Sequence, residues 1–183
     1  MKEVRTLSLK IPNEEECIQL LKDCKVPKDV ITHSLKVCEV AEIIALKCNA
    51  DLDLVKAGAL LHDIGRSKTH NLMHAALGAE ILTDHHLPQK IIDIVRKHTG
   101  AGFTNDEVLE LNLPPADYMP STLEEKIVCH ADNLVAGTYF MTSKEKITKE
   151  LSKGHDVTAK RIQAMHNELS SLCGIDLDTL MKK

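Results

Sequence analysis

Apolar residues recur at intervals of three and four along most of this chain, separated by short polar or proline-bearing breaks. That period marks helices that bury one face. The clearest stripe runs over residues 28–47, with apolar side chains at 30, 37, 40, 41 and 44. Asn13 followed by three glutamates predicts a capped helix over 14–24, which Lys25-Val26-Pro27 ends. Asp51 is placed to cap a third helix ending at Gly65. Further helices are predicted at 73–85 and from Pro88 to Gly100. Ser121-Thr-Leu-Glu124 forms a capping box opening a helix over 122–140, and a last one covers 156–172. The longest loop spans 100–120 and contains Pro114-Pro115 and Pro120. Internal repeats, low-complexity segments and strand-like alternation are absent from the sequence. The pattern predicts an all-α bundle.

Composition narrows the function classes. The 183 residues carry 43% hydrophobic and 27% charged side chains, as expected of one globular domain. Aromatics make up only 2%, so the core is predicted to be aliphatic. Tyr118, Tyr139, Phe103 and Phe140 are too few and scattered to form a base-stacking platform. A net charge of −4 and a pI near 6.2 argue against a broad nucleic-acid footprint, so no duplex partner is expected. The six cysteines show no Cys-x-x-Cys spacing and are expected to be reduced thiols, with Cys38 and Cys129 as small buried hydrophobes. Met-Lys-Glu-Val-Arg-Thr at the start is not an apolar leader and no run reaches membrane-spanning length; a cytoplasmic protein with no membrane partner is expected.

Several polar residues fall where core residues belong. His33 lies on the stripe of Val30, Val37, Val40 and Ile44, and Asp132 on that of Val128, Val135 and Tyr139. His98 continues Ile91, Ile94 and Val95, while His74 precedes Leu77, Gly78 and Ile81. His62-Asp63 follows Gly58 and Ala59, small residues that let another helix approach. Unpaired buried aspartates cost several kcal/mol or become protonated. A divalent cation removes that cost by taking carboxylates and neutral imidazoles as ligands, and helical bundles build metal sites this way. Two such ions carry more positive charge than Asp63 and Asp132 cancel. The excess would attract an anionic phosphate ester and lower the pKa of a bridging water.

His33, His62-Asp63 and Asp132, in this order, resemble the ligand set of the HD superfamily of metal-dependent phosphohydrolases. His62-Asp-Ile-Gly65 is its HDIG variant, and His74-Ala-Ala-Leu-Gly-Ala and Lys97-His98-Thr-Gly look like the further histidines of bimetallic members. Within that family the chain is similar to small stand-alone prokaryotic HDIG proteins and to bacterial hydrolases that split diadenosine tetraphosphate symmetrically. The resemblance implies an HD-domain helical bundle over 28–140, with a helical extension at 1–27 and another at 141–183 packing on the same domain. It implies one or two divalent ions (Fe, Mn, Ni, Co, Zn or Mg) held by His33, His62, Asp63 and Asp132, with Asp63 bridging to a second ion at His74 and His98. If only one ion binds, His74 and His98 become substrate contacts. Asp63 and Arg66 would carry catalysis, and Arg66 and Lys97 would contact a small phosphorylated substrate, a nucleotide above all. Arg66 stands where the family's lysine is familiar; it keeps the charge but cannot donate a proton. The Gly-Tyr-Pro signature of the cyclic di-GMP hydrolases is missing, which argues against that substrate.

The expected activity is hydrolysis of a nucleotide or small phosphate ester by a metal-bound hydroxide. The alternatives are an HD-fold di-iron oxygenase, which shares the ligands, and a non-catalytic nucleotide-binding regulatory module. His85-His86 is expected at the surface, His130 as a structural core residue, and His155 and His166 in solvent. The helix at 156–172 is either a homodimer element or a brace on the bundle.

Overall fold

The computed structural model describes residues 10–180, so the N-terminal hexapeptide lies outside the described range. Its helices are α1 (Glu14–Asp23), α2 (Lys28–Cys48), α3 (Leu52–Leu61), α4 (His74–Asp84) and α5 (Gln89–Lys97). They continue as α6 (Asn105–Glu110), α7 (Leu123–Asn133), α8 (Ser143–Ser152), α9 (Asp156–Cys173) and α10 (Leu177–Leu180). A 3-10 turn, Ile64–Ser67, follows α3, and a hairpin of β1 (Val135–Ala136) and β2 (Tyr139–Phe140) follows α7. The fold is an all-α bundle with one short hairpin. Among the described residues no helix is long and apolar enough to cross a membrane.

Local chemistry explains the helix ends. The Asn13 side chain accepts from the Glu16 amide while Glu16 reaches back, closing a capping box, and Asp51 accepts from the Leu54 amide. The box before α7 lies one residue later than predicted, between Thr122 and Glu125. Helix α3 sits innermost, with Leu54, Val55 and every residue from Ala57 to Leu61 buried. Gly58 makes this possible: a Cβ there would meet Ile94 Cγ2 at 2.7 Å, so α5 packs directly on the α3 backbone. Buried aliphatic side chains such as Leu60, Ile91 and Ile94 each contribute roughly 1.5–3 kcal/mol.

Five expectations are corrected here. The helix predicted over 122–140 ends at Asn133, where the Asn133 amide donates to the carbonyls of Gly100 and Cys129. Beyond it the apolar stripe belongs to the hairpin, whose turn contains Gly137 at a φ of +63°, so a strand pair exists where none was expected. The polar segment after Thr142 holds helix α8, and the loop 100–120 holds α6. Cys48 and Cys173 form a disulfide between the C-terminal ends of α2 and α9, against the expectation of reduced thiols throughout. Cys38 and Cys129 are buried free thiols; burial pushes the Cys38 pKa up to about 12 and raises that of Cys129 further. Helix α9 braces the bundle, with Ile162 and Leu169 fully buried in the main core.

Candidate metal centre

Three of the four imidazoles are fixed by the ends of their own helices. His62 follows α3 and its Nδ1 donates to the Ala59 carbonyl at 2.7 Å. His98 follows α5 and its Nδ1 donates to the Val95 carbonyl at 2.7 Å. His74 opens α4 and its Nδ1 donates to the Asn71 carbonyl at 2.7 Å. The last carbonyls of a helix lack intrahelical partners, so at His62 and His98 the ring supplies one. His33, in the second turn of α2, donates from Nδ1 to the Gly137 carbonyl of the hairpin at 2.8 Å. Each Nδ1 is therefore committed to a backbone carbonyl, which leaves each Nε2 to face the centre.

These Nε2 atoms converge on two carboxylates. Asp132 Oδ1 lies 3.0 Å from His33 Nε2 and 3.5 Å from His62 Nε2. Asp63 Oδ1 lies 3.2 Å from His74 Nε2 and 3.6 Å from His98 Nε2, while Oδ2 lies 3.6 Å from His62 Nε2. His62 Nε2 and Asp63 Oδ1 are buried with no hydrogen-bond partner. The structure brings all six predicted ligand residues to one place. They offer two overlapping cation positions, one among His33, His62 and Asp132 and one among His62, Asp63 and His98.

Electrostatics support the fit to a cation. Burial would raise the Asp63 pKa, but His62, His74 and His98 hold it well below the carboxylate range. Asp132 is likewise held low by His33 and His62 against its burial. Burial disfavours a charged His62, yet Asp63 and Asp132 outweigh it and raise its pKa to about 9. Without a metal the carboxylates thus retain a proton on His62. A bound cation takes over that role.

The glycine of the His-Asp-Ile-Gly run has a direct steric purpose. A Cβ on Gly65 would overlap the His74 carbonyl oxygen, and one on Gly78 would meet Val95 Cγ1 at 2.9 Å. The 3-10 turn after Asp63 can therefore lie against the start of α4, which puts His74 within reach of Asp63.

A cavity of about 660 Å³ opens onto the centre, lined by His33, Asp63, Arg66, His70, Asp29 and Tyr139 among others. Arg66 Nε donates to Asp63 Oδ2 at 2.6 Å, and Nη1 reaches the His70 carbonyl at 3.3 Å. Lys97, expected as a substrate contact, does not line this cavity. It is buried, and its Nζ lies 2.9 Å from Asp117 and 3.1 Å from Glu125. Sequence reasoning missed His70, Asp29 and Tyr139 as cavity residues; the helical stripe assigned Tyr139 to the core.

The remaining histidines separate cleanly. His85 and His86 are exposed, as expected. His130 is buried with its Nε2 3.1 Å from His166 Nδ1, the structural role expected of it. His166 is 5% exposed, correcting the expectation of a solvated ring, whereas His155 is exposed beside Glu150.

The description "HD domain" belongs to the family model that matches residues 30–137. A relative from Picrophilus torridus named tRNA (cytidine(56)-2'-O)-methyltransferase is 46% identical over 94% of this chain, which spans only 50% of that relative's length. An uncharacterised protein of Methanocaldococcus jannaschii is 43% identical over 86% of this chain and 97% of its own. Among solved structures, the HD domain of the L. monocytogenes phosphodiesterase PgpH in complex with cyclic-di-AMP aligns with a TM-score of 0.56 and 25% identity, over 85% of this chain and 96% of the other. With that family model matched over more than half of its length, this chain belongs to the HD domain family.

Proposed function

We propose that this chain is a metal-dependent phosphohydrolase acting on a nucleotide or a related small phosphate ester. One observation carries the reading. Four imidazole Nε2 atoms and two aspartates converge on a largely buried centre, and every Nδ1 is already committed to a backbone carbonyl. Such an arrangement is costly without cations and favourable with them.

In this reading His33, His62, Asp63 and Asp132 would hold one ion, and His74 and His98, with Asp63, would hold a second. Bound ions would supply Lewis acidity toward phosphate oxygens and lower the pKa of the attacking water. Arg66 fixes Oδ2 of Asp63 so that Oδ1 faces His74 and His98. Its guanidinium, 27% exposed at the cavity, is placed to attract and orient a phosphate without donating a proton. The solved neighbour that binds cyclic-di-AMP supports a nucleotide phosphodiester as one member of the substrate class. The relative named as a tRNA methyltransferase raises methyl transfer, but a cage of imidazoles and carboxylates is a donor set for metals and favours hydrolysis.

The test is metal content per chain on protein purified without oxygen or chelators, beside phosphate release from a panel of nucleotides, cyclic dinucleotides and diadenosine tetraphosphate. About two ions per chain, with turnover lost in Asp63→Ala, is the expected result. Absence of bound metal after loading with each candidate ion would overturn the proposal. So would oxygen uptake with reduced iron and no ester cleavage.

A further inference from the structure

The chain has two tyrosines, two phenylalanines and no tryptophan. Three of these four rings are accounted for by packing. Tyr118 is 2% exposed, with Phe103 packed on it at a ring-centroid distance of 6.4 Å. Phe140 packs against the main core. Tyr139 is 78% exposed and lines the cavity that leads to Asp63 and His33.

The hairpin explains this division. Ala136 pairs with Tyr139 and Val135 with Phe140, and successive strand residues point to opposite faces. With Phe140 committed to the core, Tyr139 is directed away from it. The hairpin is also tied to the metal centre, because the Gly137 carbonyl accepts the His33 Nδ1 hydrogen. An exposed ring thus stands two residues from a contact that orients a ligand imidazole. Across the same cavity lie apolar Val30, acidic Asp29, the hydroxyl of Thr32 and cationic Arg66. The cavity therefore offers an aromatic face, hydrogen-bonding groups and a cation beside Asp63. This combination suits a planar base joined through a sugar to a phosphate.

We propose that Tyr139 is a specificity-determining residue that stacks on the unpaired base of a nucleoside phosphate whose phosphate sits at Asp63 and Arg66. This inference rests on the hydrolase reading of the centre and names its substrate class. A single ring can stack on one free base, while a duplex keeps its bases stacked internally and offers the ring none. The base can come from a free nucleotide or from the end of a single strand, which share this chemistry.

The experiment is calorimetric titration of the manganese-loaded full chain with adenosine 5'-monophosphate, ribose 5-phosphate and a 5'-phosphorylated trinucleotide. Wild type, Tyr139→Ala and Tyr139→Phe are compared, with circular dichroism to verify folding. Stacking on an aromatic residue predicts about tenfold tighter binding of the nucleotide than of ribose 5-phosphate. Tyr139→Ala is expected to erase that difference and Tyr139→Phe to keep it, while all three proteins bind ribose 5-phosphate equally. A trinucleotide that binds more tightly than the mononucleotide, and depends equally on Tyr139, assigns the strand end; equal affinity assigns the free nucleotide. Tyr139→Ala binding the mononucleotide as wild type does, with ribose 5-phosphate also bound, would overturn the stacking role alone. Failure of the loaded wild type to bind any of the three phosphates would overturn the hydrolase reading with it.

Discussion

His74 Nε2 and His98 Nε2 lie 3.0 Å apart in a buried site, each ring with its Nδ1 donating to a backbone carbonyl. With both Nδ1 atoms committed, the two Nε2 atoms face each other at a separation that a cation between them would relieve. Metal removal should therefore destabilise the fold as well as any activity. At a free metal concentration of about 100 times Kd, linkage gives about 2.7 kcal/mol. For a domain of this size that is a Tm difference of roughly 5–10 °C between metal-loaded and chelated protein. Differential scanning calorimetry with and without chelator reads it directly. Coincident transitions after confirmed metal loading would contradict the assignment of these rings as ligands.

Away from the centre, His130 gives a clear pH signature. Burial and the neighbouring His166 lower its pKa to about 3, from an ordinary value of 6.5. Between those values the unfolded chain binds a proton that the folded chain refuses, so stability falls as pH falls below 6.5. In chelated protein between pH 6.5 and 5, above most carboxylate titrations, this group alone gives a slope approaching about 1.4 kcal/mol per pH unit. His98, also lowered chiefly by burial, adds a slope of the same sign. The comparison is therefore between wild type and His130→Gln, by urea denaturation at each pH. The variant should show a distinctly shallower loss; equal slopes would mean that His130 is not held neutral.

The disulfide between Cys48 and Cys173 closes a separation of 125 residues. Constraining so long a loop in the unfolded chain is worth up to about 4–5 kcal/mol in the chain-entropy model. Cys173→Ser should lower the Tm by several degrees in oxidised protein and leave reduced protein nearly unchanged. Metal content should not move. Cys48 and His33 occupy opposite ends of α2, about 22 Å apart at the helical rise. Loss of bound metal in the variant would show that the crosslink supports the centre.

What the sequence makes legible here is mostly local. Asn13 and Asp51 mark helix starts because a cap is written within four residues. His62 and Asp63 declare themselves by following an apolar, small-residue run that has to be buried. Other features need the folded chain. The partner of His33 Nδ1 is a carbonyl 104 residues away, invisible to any local pattern. Tyr139 continues the helical spacing of Val128, Asp132 and Val135, so periodicity assigns it to a helix. Only the break after Asn133 and the turn at Gly137 put it on a strand and into the cavity. His166 looks solvated in a polar segment, but α9 turns that face onto His130. Cys48 and Cys173 carry no motif spacing, and the geometry of α2 and α9 alone brings them together.

Lys97 precedes His98 and invites a substrate role, yet its ammonium sits between Glu125 and Asp117. Glu125 also accepts from the amides of Ser121 and Thr122 at the start of α7. Lys97 thereby ties the end of the 100–120 loop and the start of α7 to α5. Replacing it with methionine keeps most of the volume and strands the buried Glu125 charge. Breaking such a pair costs about 3–5 kcal/mol, and the low end applies because Glu125 keeps its backbone donors. A loss of about 3 kcal/mol in chemical denaturation is expected for Lys97→Met. Below the unfolding transition, KM for a phosphate ester should stay within about twofold of wild type, since no phosphate contact has been removed. An increase in KM of tenfold or more, with stability intact, would instead place Lys97 on the substrate.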